Sequence, residues 1–117
     1  MKIIVQNAAE HAFNRNEMEA MSLLFPNSWS RSVKEILLCH GREIAISFFP
    51  KEQSISFSCP LSRSEFASKK EAITELLIHL AMIAESKKLP RHMSTAERSR
   101  LLDETYNLCE KCLAIIA

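Results

Sequence analysis

The chain contains a single glycine, Gly41, in 117 residues. A loop that holds a nucleotide phosphate needs two or three glycines within about eight residues, because only glycine lets the backbone approach the phosphate closely. Nucleotide-binding loops of the P-loop and dinucleotide types are therefore excluded. Because glycine also supplies the positive φ of tight turns, we expect Gly41 to form such a turn in a β-hairpin.

Size and composition predict one globular α+β domain that covers residues 1–117. Apolar residues make up 47% of the chain, and 15 basic against 14 acidic side chains give a net charge of +1. A chain of this length buries roughly two thirds of its unfolded surface in one core. The small net charge gives no field that would hold nucleic acid or an anionic membrane, so neither is an expected partner.

Two features of the sequence favour a cytoplasmic protein with reduced thiols. The first apolar stretch covers only Ile3–Val5, which is far shorter than the core of a signal peptide. The longest apolar run, Leu76–Ala84, is also much shorter than the roughly 20 residues that span a membrane. Without an export signal, a disulfide framework is not expected, and the cysteines are predicted to be free: Cys39, Cys59, Cys109 and Cys112.

Residues 33–59 alternate with a period of two and predict an antiparallel meander of three strands. The first two strands are joined by His40–Arg42 around Gly41, and the last two by Pro50–Glu52. One face of this sheet is apolar, whereas the third strand places serines on the other face, which is expected to meet water. The short β-branched segment Lys2–Val5 predicts either a fourth, edge strand or an arm that reaches a partner.

Helical patterns precede and follow these strands. Asn7 with Glu10, and then Asn16, predict helix starts, and Trp29 is expected to anchor a turn onto the core. Capping boxes at Ser68 and Ser94 predict two long helices. The predicted order is (β)-α-β-β-β-α-α, a two-layer α+β fold in which helices cover the sheet.

The apolar faces of the two long helices predict a homodimer. One arc of the first helix should cover the sheet: Ile73, Leu76, Leu77, Leu80, Ile83 and Ala84. A second apolar pair lies on nearly the opposite side, and the last helix is apolar over about half its circumference, which is more than one seam requires. We therefore predict an interface at Ile78, Met82, Ile115 and Ile116. The alternative is a monomer in which the two extra stripes cover each other.

Cys109 and Cys112 form the one pattern similar to a redox or metal motif. A reactive thiolate of this kind is stabilised at a helix N-terminus, whereas this pair lies near a helix C-terminus on its apolar face. We therefore interpret the pair as core thiols. A zinc site would need two further ligands, for which the chemically suitable residues are Cys39, His40, Cys59 and His79.

His79 also follows Glu71 and Glu75 at steps of four residues, so the three side chains share one helix flank. Such a row could hold a metal or perform acid–base chemistry, but it is more typical of a solvated stripe. Cys59 with a histidine base is the least unfavourable catalytic arrangement, and its strand position on the apolar face favours an inert thiol. Because no known catalytic template is present, we predict a protein that is not an enzyme and has no cofactor.

The sharpest local charge feature is the turn between the last two helices. Glu97 is the single acidic residue in this turn. The candidate anion-binding residues of the turn are Lys87, Lys88, Arg91, His92, Arg98 and Arg100. The last helix begins at Ser94, so basic side chains and free backbone N–H groups could meet an anion together. Alternatively, the two lysines complement the end of the preceding helix and the arginines form a solvated face.

These observations favour a non-enzymatic protein–protein interaction or adaptor module that acts as a homodimer. An unidentified protein partner would contact the serine-rich sheet face, the segment Lys2–Val5 or the helix ends. The first alternative is a nucleic-acid or anion-binding accessory protein that uses the turn Lys87–Arg100. The second alternative is a zinc or thiol protein that uses Cys109 and Cys112.

Overall fold

The computed structural model describes residues 1–6, 11–60, 66–87 and 92–116. Within these ranges the elements follow in the order β1 (Lys2–Val5), α1 (Arg15–Ser22), α2 (Asn27–Ser32), β2 (Glu35–Cys39), β3 (Ala45–Phe49), β4 (Ser54–Ser58), α3 (Phe66–Ser86) and α4 (Thr95–Ile116). The predicted α+β class is confirmed, and Lys2–Val5 is the fourth strand. Helix α2 is an addition, because its segment was predicted as a turn.

The sheet has the strand order β1-β2-β4-β3, so it is not a meander. β4 pairs in parallel with β2 and antiparallel with β3, and β1 pairs in parallel with β2. The prediction of a β2–β3 hairpin in a fully antiparallel sheet is therefore wrong. The physical reason is that residues 40–44 are long enough to cross the end of β4, a step of about 10 Å. The predicted antiparallel pairing of the last two strands is confirmed, since β3 and β4 form a hairpin that the turn Pro50–Gln53 closes.

Gly41 lies where the β2–β3 connection passes the end of β4. Its φ is not positive, so the predicted conformational role is wrong. A Cβ at this position would lie 2.8 Å from both Cβ and Oγ of Ser58. The Ser58 hydroxyl in turn donates to the carbonyl oxygen of Glu43 at 2.7 Å, within the same connection. The glycine is therefore required by the close approach of its backbone to the Ser58 side chain.

Gln53 and Lys87 occupy left-handed backbone positions, with φ of 50° and 62°. The side chains of both residues bond to the last turn of α2. Gln53 Nε2 donates to the carbonyl oxygen of Arg31 at 3.2 Å, and Lys87 Nζ donates to the hydroxyl of Ser32 at 2.7 Å. A residue with a Cβ costs about 1–2 kcal/mol in this region, and these bonds offset part of that cost.

Polar caps begin α1 and α4. The side chain of Asn14 accepts from the N–H of Glu17 at 2.8 Å, and the Glu17 carboxylate accepts from the N–H of Asn14 at 3.0 Å. Helix α1 therefore begins at Arg15, slightly before the predicted start at Asn16. The Ser94 hydroxyl accepts from the N–H of Glu97 at 3.1 Å, as the sequence predicts. The predicted capping box of Asn7 with Glu10 lies outside the described residues.

The core lies between one face of the sheet and the helices. Ile36, Leu38, Ile55 and Phe57 from the central strands are buried there. They form one cluster with the predicted inner arc of α3, in which Ala84 is partly buried and these residues are fully buried: Ile73, Leu76, Leu77, Leu80 and Ile83. Trp29 is buried against Phe25, with ring centroids 5.2 Å apart, so it anchors α2 as predicted for this segment.

The second face of the sheet is less polar and less exposed than the sequence predicted. Of the three serines on β4, only Ser56 is partly exposed, whereas Ser54 and Ser58 are buried. The reason is that β4 is a central strand with a neighbour on each side, rather than the outer strand of a meander. Water therefore does not reach most of this serine row.

Candidate interaction surface

Acidic side chains neutralise the two arginines of the basic turn. The guanidinium of Arg98 makes a bidentate bond to the carboxylate of Glu75. Arg100 bonds to Glu85 on α3 at 2.9 Å and to Glu104 on α4 at 3.0 Å. These hydrogen bonds raise the pKa of both guanidinium groups. The two guanidinium groups are therefore already paired with carboxylates of the same chain, although both side chains remain partly exposed to water.

The rest of the predicted anion site is spread along the chain. Lys87 follows the last residue of α3 and reaches Ser32, so its ammonium group contacts the end of α2. His92 is exposed. Lys88 and Arg91 lie outside the described residues. In the described part of the turn, the structure therefore does not gather these side chains around a common point.

Cys109 and Cys112 are buried on the core side of α4. The Sγ of Cys109 lies 3.6 Å from the hydroxyl of Thr74 on α3. Burial, together with the neighbouring Cys109 thiol, raises the pKa of Cys112 to about 12. A thiol with this pKa stays protonated near neutral pH, so it is a poor nucleophile and a poor metal ligand.

Glu71, Glu75 and His79 line one groove of roughly 240 Å³ between α3 and β3. The carboxylate of Glu75 is bonded to Arg98, and Nδ1 of His79 lies 2.5 Å from the carbonyl oxygen of Glu75. Across the described ranges, no three side chains of His, Cys, Asp or Glu are grouped as a metal site would need. The helix spacing thus brings these residues together, but the Glu75 and His79 groups bond within the protein, and Glu71 is exposed.

Helix α4 of the same chain covers Ile78 and Met82. Both residues are buried in a small cluster with Leu101, against which Met93 also packs. The interface prediction for Ile78 and Met82 is corrected accordingly, since the last helix is the cover that the sequence left as an alternative. Ile116 packs against the main core, and Ile115 is 37% exposed.

His11 is a partly buried titratable residue that the sequence analysis missed. Its Nδ1 accepts from the N–H of Phe13 at 3.1 Å, and its Nε2 lies 3.1 Å from the carbonyl oxygen of Phe57. Burial lowers the pKa of His11, although the two backbone contacts raise it. The neutral ring therefore connects the segment before α1 to β4. No pattern in the sequence predicts this contact.

The outer edge of β1 carries backbone groups that have no partner strand in the described sheet. The N–H of Lys2 donates to the carbonyl oxygen of Lys34 at 2.8 Å, and the N–H of Gln6 donates to the carbonyl oxygen of Leu38 at 2.9 Å. In a parallel pair, alternate residues direct both backbone groups to the same neighbour. The N–H and C=O groups of Ile3 and Val5 therefore point away from β2.

A groove of roughly 640 Å³ runs beside this edge. Residues 1–4 form one wall, and α1 with the residue after it forms the other, through Arg15, Glu19, Ser22 and Leu23. Leu23 is 85% exposed, the highest value among the large apolar side chains described. An unpaired strand edge beside an exposed apolar side chain is typical of a protein contact surface.

β3 forms the opposite edge of the sheet, and its surroundings differ. The groove beside it carries Glu71, Glu75 and His79. The groove beside β1 also carries charged side chains, but it includes the exposed Leu23, whereas the groove beside β3 has no exposed large apolar side chain in its described lining. The β1 edge is therefore the better candidate surface.

Comparison with protein-family models, with curated proteins and with solved structures found no match. Among the described helices, none combines the length and the apolar character needed to cross a membrane. The proposed function therefore rests on the geometry of the β1 edge and the groove beside it.

Proposed function

We propose that the protein is a non-enzymatic interaction module that binds an extended segment of another polypeptide as an added strand at the edge of β1. The observation that carries this proposal is the outward N–H and C=O groups of Ile3 and Val5 beside a groove with an exposed leucine. An added strand would bond to these groups and place alternate side chains in the groove.

The chemistry of the described side chains supports binding over catalysis. Cys59, Cys109 and Cys112 are buried, and a nucleophile has to reach its substrate. The rings of His11 and His79 contact backbone carbonyl oxygens, which gives both a structural role. Neither histidine lines the groove beside β1.

The proposal includes a cytoplasmic location and a homodimer. Cys39, Cys109 and Cys112 are free thiols, which supports a reducing compartment. The open edge of β1 supports association with a second copy, because an edge strand is a ready template for pairing with another chain.

The test is selection of ligands from a phage-displayed library of random dodecapeptides. We expect the selected peptides to alternate apolar and polar residues, and hydrogen exchange by NMR to show protection of the Ile3 and Val5 amides on binding. Leu23→Asp should weaken binding by about tenfold or more, because a leucine in a filled groove contributes about 1.5–3 kcal/mol. Since Leu23 is 85% exposed, this change should leave the fold intact.

The matched control is Tyr106→Asp, because Tyr106 is also exposed, at 62%, but lies on α4. This variant should bind the selected peptides as the wild type does. A second variant, with an N-methyl group on the Val5 amide introduced by ligation at Cys39, removes one outward donor and should also weaken binding. Selected peptides that leave the Ile3 and Val5 amides unprotected would refute the proposal.

A further inference from the structure

We infer that a second copy of this chain is the resident occupant of the β1 edge, paired antiparallel around Ile4, so that self-association and strand addition by a partner exclude each other. The inference rests on the proposed function of the same edge and adds its regulation. Partner binding would then require the dimer to open.

The symmetric register follows from the backbone groups that point outward. When Ile4 faces Ile4 of the second copy, Ile3 lies opposite Val5 of that copy, and Val5 lies opposite Ile3. These are the two residues whose N–H and C=O groups are free of β2. The two residues of each opposed pair can therefore exchange two backbone hydrogen bonds, as the hydrogen-bonded pairs of an antiparallel ladder do.

The side chains are compatible with this register on both faces of the sheet. Ile4 meets a second Ile4 on the open face, and Ile3 meets Val5 on the helix side, so both contacts join β-branched residues. Lys2 lies opposite Gln6, and no two like charges are opposed. A register shifted to centre on Ile3 would instead place Lys2 opposite the apolar Ile4.

The groove wall is also compatible with a second copy. A two-fold axis perpendicular to the sheet keeps the helices of both copies on one side, with the two α1 helices antiparallel. The α1 wall of each copy carries Arg15 and Glu19, one turn apart. Because the two α1 helices run antiparallel, these residues follow in opposite order on the two copies, which favours pairing of Arg15 with Glu19 of the other copy. Leu23, which is exposed in the single chain, would be covered when the second copy closes the groove.

One edge has one set of outward backbone groups, so it accepts either a second copy or a partner strand. The apparent affinity for a partner equals the intrinsic affinity reduced by the fraction of free edges. We therefore expect peptide affinity to fall as the protein concentration rises above the dissociation constant of the dimer.

The first experiment is sedimentation velocity over a concentration series, with charge variants at Gln6. Gln6→Lys places Lys opposite Lys2 at two symmetric positions and should weaken the dimer by about 2–30-fold, whereas Gln6→Glu should strengthen it. Gln6 is exposed, and its Oε1 accepts from the N–H of His40 at the long distance of 3.5 Å, so both variants should keep the fold.

The second experiment fixes the register with cysteine cross-links in a Cys39→Ser background. Ile4→Cys places two thiols at opposed positions with Cα atoms about 4.5 Å apart, which a disulfide can join, so oxidation should give a covalent dimer. Lys2→Cys is the matched control on the same strand face. Its two copies would lie about 13 Å apart along the ladder and should not cross-link.

The outcomes separate the inference from the proposed function. A protein that is monomeric at all concentrations while peptides protect Ile3 and Val5 would overturn only the inference. A dimer that ignores the charge at residue 6 and does not cross-link through Ile4→Cys would also overturn it, because the contact would lie elsewhere. Failure of every peptide to protect Ile3 and Val5, even in Gln6→Lys diluted below the dissociation constant of its dimer, would overturn the proposed function while the dimer result stands.

Discussion

Replacing Gly41 by alanine tests why the chain places its single glycine beside β4. The added Cβ would lie 2.8 Å from Cβ and Oγ of Ser58, whereas relaxed carbon atoms stay about 3.5–4.0 Å apart. The hydroxyl can rotate, but the Ser58 Cβ is fixed by a strand that is paired on both sides. The overlap should cost about 1–3 kcal/mol, offset by about 0.4–1 kcal/mol because alanine restricts the unfolded chain. We expect a net loss of about 1–2 kcal/mol in the free energy of unfolding.

A double-mutant cycle with Ser58 identifies the cause. Ser58→Gly alone should cost about 1–2 kcal/mol, since it removes the bond to Glu43 and loosens the strand. In that background the overlap is gone, so Gly41→Ala should be neutral or stabilise by up to about 1 kcal/mol. Ser58→Ala is the matched control. It keeps the Cβ, so Gly41→Ala should remain destabilising in that background.

Urea unfolding followed by tryptophan fluorescence measures the cycle, because Trp29 is the only tryptophan and is buried. All variants are compared at one protein concentration, so that self-association does not bias the free energies. An equal cost of Gly41→Ala in the wild-type and Ser58→Gly backgrounds would refute the close-approach explanation. The glycine would then be needed for its own backbone conformation.

Three further predictions concern side chains described above. Because burial lowers the pKa of His11 below its ordinary value of 6.5, the unfolded chain binds a proton first as the pH falls. Stability that is present above about pH 6.5 should therefore be lost as the pH falls towards the lower folded pKa. In urea titrations at a series of pH values, His11→Gln should lose this part of the pH dependence. Arg98→Gln should lower the free energy of unfolding by about 1 kcal/mol at low salt and by less at high salt, and equal effects at both would contradict an ion pair with Glu75. Cys112→Ala should lower the free energy of unfolding by about 1 kcal/mol, since the thiol packs in the core. Addition of a zinc chelator to the wild type should leave the free energy of unfolding unchanged.

The class of the fold and the positions of its elements could be predicted because they depend on local patterns. The period of the apolar residues identified β2 to β4, and the cap at Ser94 identified the start of α4. The predicted cap at Ser68 is wrong, because α3 begins at Phe66 and Ser68 lies inside it. The inner arc of α3 was also correct, since a helix fixes which residues share a face. Strand order could not be read in the same way, because alternation shows that a strand has two faces but not which strand lies beside it.

The candidate site was predictable only in part. The segment Lys2–Val5 was identified as a strand or a partner-binding arm, and the structure makes it an edge strand. The groove beside it depends on where α1 packs, which no spacing in the sequence specifies. The ion pairs of Arg98 and Arg100 do not follow from the charges of the turn alone, because Glu75 and Glu85 lie on α3. Antiparallel packing of α3 and α4 was the available signal, since it brings Glu75 and Glu85 back towards the start of α4.

The pairing of β1 with β2 also determines when the interaction surface exists. The β3–β4 hairpin joins neighbours in the chain through a short turn, so it can close within microseconds. β1 pairs with residues that are separated from it by two helices, and closing so long a loop carries the largest entropic cost in this sheet. We therefore expect β1 to dock late in folding. A chain offers its outer edge to a second copy or a partner only once that step is complete, so association at this edge selects for fully folded protein.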